Sequence, residues 1–266
     1  MTTGIVFFAN PTKEEALAVR ETVSAIARQH GYPCYFIDSP DDTLPHGAKN
    51  PAFLVAIGGD GTILKAAPFA SRHQIPILGI NLGRVGFLSE ILPGEFEDAL
   101  TKYEHGALTL DSRSMLACKV NGQEIGVSLN DILLYKESFS GVAHISIHIN
   151  GDDAGTVFCD GVVVSTSTGA TGYSISAGGP IIAPGLDASI VTPICPHSLL
   201  ARPIVASQDA IIRLCMHSPG CLYADGQKLM DVDNTDEIEI TRSPLTTSFL
   251  RMSGHNLYSL VKEKLT

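Results

Sequence analysis

Two kinds of hydrophobic periodicity divide this chain, and the change between them near residue 110 limits its possible folds more than any other feature. Before that point, short apolar runs alternate with stretches whose apolar residues recur at helical spacing. Strands that alternate with helices predict an α/β domain, a parallel sheet with helices on both faces. After residue 110 apolar and polar residues alternate, which predicts an antiparallel, sandwich-like β-rich domain.

The predicted elements of the first part end where turn residues begin. Strands are predicted at residues 5–9, 34–37, 53–57 and 75–80, and helices before Gly31 and at 96–103. In the second part, strands are predicted around 145–149, 211–215 and 237–240. The dipeptides Asn121-Gly122, Asn150-Gly151 and Asp225-Gly226 predict hairpin turns. The tail, residues 257–265, is predicted to be helical. We expect domains at 1–108 and 109–245.

The composition argues against several classes of function. The 266 residues include 18 basic and 28 acidic side chains, a net charge of -10, so no basic surface is expected for nucleic acid. No apolar run approaches the length of a membrane span, and the N-terminus lacks the charged region of a signal peptide. The six cysteines have no CxxC spacing, which is typical of reduced thiols in a cytoplasmic protein.

An aspartate among glycines follows the third predicted strand, in the sequence GGDGT at residues 58–62. Glycines there allow a sharp turn and the close approach of a ligand, and the N–H groups of the helix that follows suit a phosphate. Because a carboxylate repels phosphate, Asp60 indicates a chemical role, such as taking a proton from a hydroxyl. The alternative is that Asp60 only caps the helix.

A second unusual segment, residues 160–180, consists mostly of glycine, serine and threonine. A flexible linker has a similar composition, but Val162, Tyr173 and Ile175 argue against one. Hydroxyl and N–H donors at this density suit ribose and phosphate oxygens. An ordinary buried turn is the alternative.

Common nucleotide and metal motifs are absent from the sequence. It contains no GxxxxGK[ST] P-loop, no GxGxxG fingerprint, no GxSxG elbow and no close Cys/His cluster. His144 and His148 have a spacing that suits a metal on a helix, but they lie on an alternating strand and are interpreted as satisfied or exposed histidines.

Several segments together resemble the bacterial NAD kinase family over essentially the whole chain. They are GGDGT at 58–62, NLGRVGFL at 81–88, LND at 129–131, the stretch 160–180 and DGQ at 225–227. GGDG alone is shared with lipid kinases and phosphofructokinases, whereas the long stretch after the Asn-Asp pair is much more specific.

The resemblance implies the reaction of ATP with NAD to give ADP and NADP, with a divalent cation, usually Mg²⁺. It implies an N-terminal α/β domain and a C-terminal β-rich domain, with residues 246–266 returning to the first domain. Members of the family are usually homodimers or homotetramers, so self-association is expected.

Individual roles follow from the same resemblance. Asp60 matches the general base at the 2′-hydroxyl of the adenosine ribose, and the pair Asn130 and Asp131 matches residues that bind polar groups of NAD. The other expected NAD contacts are Gly61, Phe87, His144, Phe158, Asp160, Thr168, Thr171, Gly172, Tyr173, Ser174, Ile175, Ser176 and Gln227. The expected phosphate contacts are Gly58, Gly59, Gly61 and Thr62. No metal ligand is assigned.

Some positions depart from the family pattern. Ser167 and Gly172 stand where proline and alanine are usual, which predicts a more flexible or differently shaped loop. Phe158 replaces a polar residue, so the preference between NAD and NADH stays open, as do polyphosphate in place of ATP and regulation by NADP(H). The alternative functions are a lipid or sphingoid kinase of the GGDG superfamily and a non-catalytic dinucleotide sensor.

Overall fold

The computed structural model describes residues 3–39, 42–83, 86–138, 140–183, 185–252 and 261–262. The chain forms two compact units, Met1–Arg113 with Thr246–Thr266, and Ser114–Leu245. Within the described ranges, no helix is long and apolar enough to cross a membrane. The helix predicted over 257–265 falls outside these ranges, apart from residues 261 and 262, which are helical.

A parallel sheet forms the middle of the first unit. Its strands are β1 Ile5–Ala9, β2 Cys34–Ile37, β3 Phe53–Gly58 and β4 Ile77–Asn81, in the order β2-β1-β3-β4. All three neighbouring pairs are parallel, and every residue of β1 and β3 is buried. Continuous apolar runs are the pattern of strands covered on both faces, and the predicted parallel sheet is confirmed.

Three helices complete the first unit, α1 Glu14–Gln29, α2 Asp60–Arg72 and α3 Phe96–Glu104. Helices α1 and α3 share one hydrophobic cluster with residues of β1 and β3. The first helix ends as predicted, because Gly31 follows it with a φ of 85°, a conformation that favours glycine. Helix α2 starts directly after β3, so the turn between them is fixed by two buried elements.

Two antiparallel sheets form the second unit. One contains β8 Ala143–Ile149, β9 Asp152–Cys159 and β13 Ile212–Met216, next to β5 Thr109–Val120, β6 Gln123–Ser128 and β16 Ile238–Arg251. The outer ends of β5 and β16, residues 109–113 and 246–251, belong to the first unit. The other has the order β12-β11-β10-β7-β14-β15, with β7 Asp131–Lys136, β10 Gly161–Thr166, β11 Ala188–Ile194, β12 Ile204–Ser207, β14 Gly220–Ala224 and β15 Gln227–Val232. Alternate residues from both sheets fill one core. The predicted β-rich domain is confirmed.

The hairpins of this unit turn where the sequence predicts. Asn121-Gly122 joins β5 to β6, Asn150-Gly151 joins β8 to β9, and Asp225-Gly226 joins β14 to β15. All six residues have positive φ, between 46° and 91°, as a two-residue turn of the I′ type requires. The third turn places Asp225 beside the start of β7.

Candidate functional site

The glycine-rich turn of the first unit is shaped for close approach. Strand β3 ends at Gly58, where an added Cβ would overlap the side chain of Thr62. Gly59 is the N-cap residue of α2 with extended backbone, and Thr62 N–H donates to its carbonyl at 2.8 Å. A Cβ on Gly59 or Gly61 would meet no atom within 4 Å, so this side of the turn is open to a ligand. Gly61 is exposed and Thr62 is buried.

The carboxylate of Asp60 binds the backbone of a neighbouring loop. Oδ2 accepts the N–H of Phe87 at 2.8 Å, and Oδ1 accepts those of Leu88 at 3.3 Å and Ser89 at 3.2 Å. A Cβ on Gly86 would overlap this carboxylate, so only glycine fits there. The alternative role of Asp60 as a helix cap is wrong, because Gly59 is the N-cap residue and no side chain caps the helix.

The hydrogen bonds leave the two oxygens of Asp60 unequal. A carboxylate oxygen has two acceptor sites. Among the residues that the structure describes, two N–H donors occupy both sites of Oδ1, and Oδ2 retains one free site. The loop is itself fixed, since Ser89 Oγ accepts from Gly86 N–H at 2.5 Å and from Asn81 Nδ2 at 3.2 Å. Asp60 therefore presents one available oxygen in a fixed position, which is what a general base requires.

In the second unit, the Asn130-Asp131 pair is held by an aspartate that is not among the predicted site residues. Asp225 Oδ2 accepts Leu129 N–H at 2.8 Å, and Oδ1 accepts Asn130 N–H at 2.8 Å and Asp131 N–H at 3.1 Å. In the sequence, the signals for this residue are the hairpin dipeptide Asp225-Gly226 and the DGQ segment at 225–227. Its carboxylate fixes the chain at the start of β7, and with it the direction of both side chains.

Residues at and after the end of β10 contact the Asn130-Asp131 pair. Thr166 N–H donates to Asn130 O at 2.8 Å, and Gly169 is so close to the Asn130 backbone that no Cβ fits. A Cβ on Gly172 would lie 3.4 Å from Asn130 Nδ2 and 3.9 Å from Asp131 Oδ2. The structure thus brings Asn130, Asp131 and Gly172 together, as predicted for a shared site.

Asn130 carries a buried acceptor with no partner in the described part of the chain, its Oδ1 atom. A buried polar atom without a hydrogen bond costs about 1–3 kcal/mol, so such an atom needs an explanation. The atom of this amide that lies near Gly172 is Nδ2, so the side chain offers a donor, and not the unpartnered Oδ1, to a ligand beside that glycine.

The loop after β10 contains the remaining predicted residues of this region. Gly169–Thr171 form a 3₁₀ turn, and the short helix α4, Tyr173–Ser176, follows. Thr171 Oγ1 donates to Thr168 O at 3.4 Å, whereas the buried Ser174 Oγ bonds to Thr192 Oγ1 at 3.0 Å. Ser176 and Tyr173 are exposed and Ile175 is half-buried. The loop is tied at Ser167, whose hydroxyl bonds to backbone atoms of Leu186 and Ala188.

Other predicted contacts lie elsewhere in the second unit. Asp160 pairs with Lys136, with Nζ 2.6 Å from Oδ1, so this acid already has a cationic partner. His144 and Phe158 are exposed cross-strand neighbours on β8 and β9, with ring centroids 4.3 Å apart. Gln227 is the exposed first residue of β15.

Two carboxyl groups in the second unit have raised pKa values. Burial, together with the negative charge of Asp225, raises the pKa of Asp131 to about 7. Burial also raises the pKa of Asp225, against the three backbone N–H groups that lower it. Asp131 therefore titrates near neutral pH, where it changes from a donor to an acceptor.

This titration predicts a dependence of stability on pH. An unfolded aspartate loses its proton near pH 4, whereas folded Asp131 keeps it to about pH 7. The folded state binds more protons between these values, so the free energy of unfolding falls as pH rises from about 4 to about 7. Asp131→Asn should raise the Tm at pH 8 by several degrees, since a pKa change of one unit corresponds to about 1.4 kcal/mol and 1 kcal/mol to about 2–4 °C, and should change it little at pH 4. An equal shift at both pH values in thermal melts would contradict the assignment.

Comparisons with known proteins match both parts of the chain to one family. A family model described as the ATP-NAD kinase N-terminal domain matches residues 6–108, and the ATP-NAD kinase C-terminal domain matches residues 129–252. An NAD kinase of Caldanaerobacter subterraneus subsp. tengcongensis is 36% identical, over 97% of this chain and 96% of that protein. An NAD kinase of Moorella thermoacetica is 42% identical, over 80% of this chain and 70% of that protein.

Solved structures have the same fold. The crystal structure of an NAD kinase from Archaeoglobus fulgidus in complex with ATP superposes with a TM-score of 0.82 at 28% identity, covering 97% of this chain and 98% of that one. Yeast NADH kinase complexed with NADH superposes with a TM-score of 0.85 at 24% identity, covering 98% and 87%, and at that identity supports the fold alone. With both domain models matched and relatives similar over nearly its full length, the chain belongs to the NAD kinase family.

Proposed function

We propose that this protein is an ATP-dependent NAD kinase, which transfers the γ-phosphoryl group of ATP to the 2′-hydroxyl of the adenosine ribose of NAD to make NADP. The observation that carries the proposal is the carboxylate of Asp60, held by three backbone N–H groups, with one acceptor site of Oδ2 left free by the described residues. Asp60 lies between Gly59 and Gly61, which leave open space for phosphate at this turn.

In the proposed reaction, Oδ2 of Asp60 takes the proton of the 2′-hydroxyl as its oxygen attacks phosphorus. Phosphoryl transfer needs mainly positioning and the stabilisation of charge, so a fixed base and a phosphate-binding turn are the parts that a protein must supply. The start of α2 provides N–H groups and the positive end of the helix dipole for the donor phosphates. Gly58, Gly61 and Thr62 shape that turn.

A divalent cation, Mg²⁺ by preference, fits this arrangement. Within the described ranges no cluster of three or more His, Cys, Asp or Glu side chains could hold a metal ion. Mg²⁺ usually binds to substrate phosphates and water with only one or two protein carboxylates, so such a cluster is not required. When bound to ATP, the ion would offset the phosphate charge in this acidic protein.

The NAD site is assigned to the second unit on the contacts of Asn130 and Asp131. Asp131→Ala should weaken NAD binding by about 1–3 kcal/mol, because a polar group of the ligand loses its partner. Calorimetric titration with NAD measures this effect, with Asp152→Ala as the control, since Asp152 is an exposed acid at a hairpin. Equal Kd values for wild type and Asp131→Ala would remove Asp131 from the site.

Self-association forms part of the proposal. The loop 168–176 exposes Tyr173 and leaves Ile175 half-buried, and we propose that it packs against a second copy in a two-fold dimer or a tetramer. Activity and Tm should then rise with protein concentration. Sedimentation at micromolar concentration tests this, and a fully active species at the monomer mass of 28.2 kDa would contradict it.

A cytoplasmic location fits the thiols of the chain. All six cysteines are free, and burial raises the pKa of Cys118 to about 12 and of Cys159 to about 11, which keeps both unreactive. Free thiols persist in a reducing compartment.

Incubation with ATP, Mg²⁺ and NAD tests the proposal, with NADP measured by an NADP-specific dehydrogenase. Formation of NADP is the expected result. NAD binding without NADP would indicate the non-catalytic sensor, and phosphorylation of a sphingoid base or diacylglycerol instead of NAD would indicate the lipid kinase.

A further inference from the structure

A buried arginine lies behind the loop that holds Asp60. Arg251, the last residue of β16, and Glu90 form an ion pair with Nη1 and Oε2 3.0 Å apart, and their side chains are only 6% and 3% exposed. The same Nη1 donates to Leu88 O at 3.0 Å. Arg251, Leu88 and Glu90 all belong to the first unit. Leu88 directly follows Phe87, whose N–H group donates to Asp60.

One peptide group joins this guanidinium to the carboxylate. The carbonyl of Leu88 and the N–H of Ser89 belong to the same peptide, which accepts from Arg251 at its oxygen and donates to Asp60 Oδ1 at 3.2 Å. A charged donor at the carbonyl polarises the peptide and strengthens the hydrogen bond that its N–H donates. The positive charge of Arg251 therefore acts on Asp60 through a single peptide.

The guanidinium is itself held in a fixed orientation. Its Nε donates to Asp111 Oδ2 at 3.2 Å, and Glu90 Oε1 accepts Met252 N–H at 2.7 Å. Arg113 binds the same Asp111 carboxylate through two hydrogen bonds of 2.7 and 2.8 Å. These contacts fix the end of β16 against residues 88–90, on the opposite side of the peptide from Asp60.

We propose that Arg251 is a positioning residue for phosphoryl transfer, which holds the Leu88–Ser89 peptide so that Asp60 keeps Oδ1 saturated and Oδ2 aimed at the acceptor hydroxyl. The inference rests on the proposed function, since it assigns to Arg251 a role in the same reaction. It predicts a loss in kcat rather than in substrate binding, because Arg251 is buried and acts on the reaction through Asp60.

A double-mutant cycle between Arg251 and Asp60 tests the proposal. Arg251→Met keeps an unbranched apolar side chain and removes the guanidinium. It should lower kcat by about 10- to 100-fold, the effect of misplacing a catalytic group by an ångström or less, with both KM values within about threefold. In the Asp60→Asn background the same change should cost less than about threefold, because the group it positions is already inactive. Arg242→Met is the control, which removes an arginine paired with Asp187 and Asp209 in the second unit, and should retain wild-type kcat.

A second variant separates an effect on stability from an effect on the reaction. Arg251→Met leaves the buried Glu90 carboxylate without this guanidinium beside it, so the Tm should fall, and the additional change Glu90→Gln should recover much of the Tm but not the kcat. Equal fold losses of kcat in the two Asp60 backgrounds, or recovery of kcat together with Tm, would overturn the inference. If Arg251→Met does not fold, Arg251→Lys enters the same cycle with the same criteria. Absence of NADP formation by the wild-type protein would reject the proposed function first.

Discussion

Asp60→Asn is expected to lower kcat for NADP formation by about 10²–10⁴, the usual contribution of a general base. The amide oxygen of asparagine can still accept from Leu88 and Ser89, but its Nδ2 group would face the N–H of Phe87. The amide group cannot take a proton from the hydroxyl. The Kd values for ATP and NAD should change far less than kcat. Steady-state kinetics with calorimetric titration separates the two effects.

A matched control for this substitution is Asp98→Asn. Asp98 is also an acid in the first turn of a helix, but it is paired with Lys102 at the surface, so its loss should leave kcat unchanged. If Asp60→Asn retains turnover within a few-fold of wild type, the carboxylate only holds the loop 87–89 and the proton leaves by another route.

Gly86→Ala should have the second largest effect, because a Cβ at this position overlaps the Asp60 carboxylate. Either the loop or the carboxylate must move, and displacement of a catalytic group by about 1 Å costs about 10²-fold in rate. We expect kcat to fall by about that factor. Overpacking typically also costs about 1–3 kcal/mol, so the Tm should fall.

Gly94→Ala is the control for this change. Gly94 lies in a nearby 3₁₀ turn, where an added Cβ would meet no atom within 4 Å. Its kcat and Tm should match those of the wild type. A Gly86→Ala protein with wild-type kcat would show that the geometry of the Asp60 carboxylate does not limit the reaction.

The fold was largely predictable because its signals are local. The buried strands β1, β3 and β4 are continuous apolar runs, and each of the three hairpin turns has its own Asn-Gly or Asp-Gly pair. The glycine-rich turn at 58–62 is equally local, since strand, turn and helix follow each other directly. Such features depend on neighbouring residues alone.

The partners of the site residues were not predictable in this way. The carboxylate of Asp60 binds N–H groups 27 to 29 residues away, which is why the role of helix cap was a reasonable but wrong alternative. Asp225 holds N–H groups that lie 94 to 96 residues earlier, and Arg251 binds a carbonyl 163 residues earlier. Tertiary packing alone brings these groups together, and the periodicity of the sequence does not indicate which distant residues will meet.

The transfer of label from ATP carrying γ-³²P to NAD tests the central claim most directly, with the position of the phosphate determined on the isolated product. We predict that the wild-type protein places the label on the 2′-hydroxyl of the adenosine ribose, in a product that an NADP-specific dehydrogenase accepts. Asp60→Asn should form the same product about 10²–10⁴ times more slowly. Label that stays in ATP, or enters NAD at any other hydroxyl, would contradict the account.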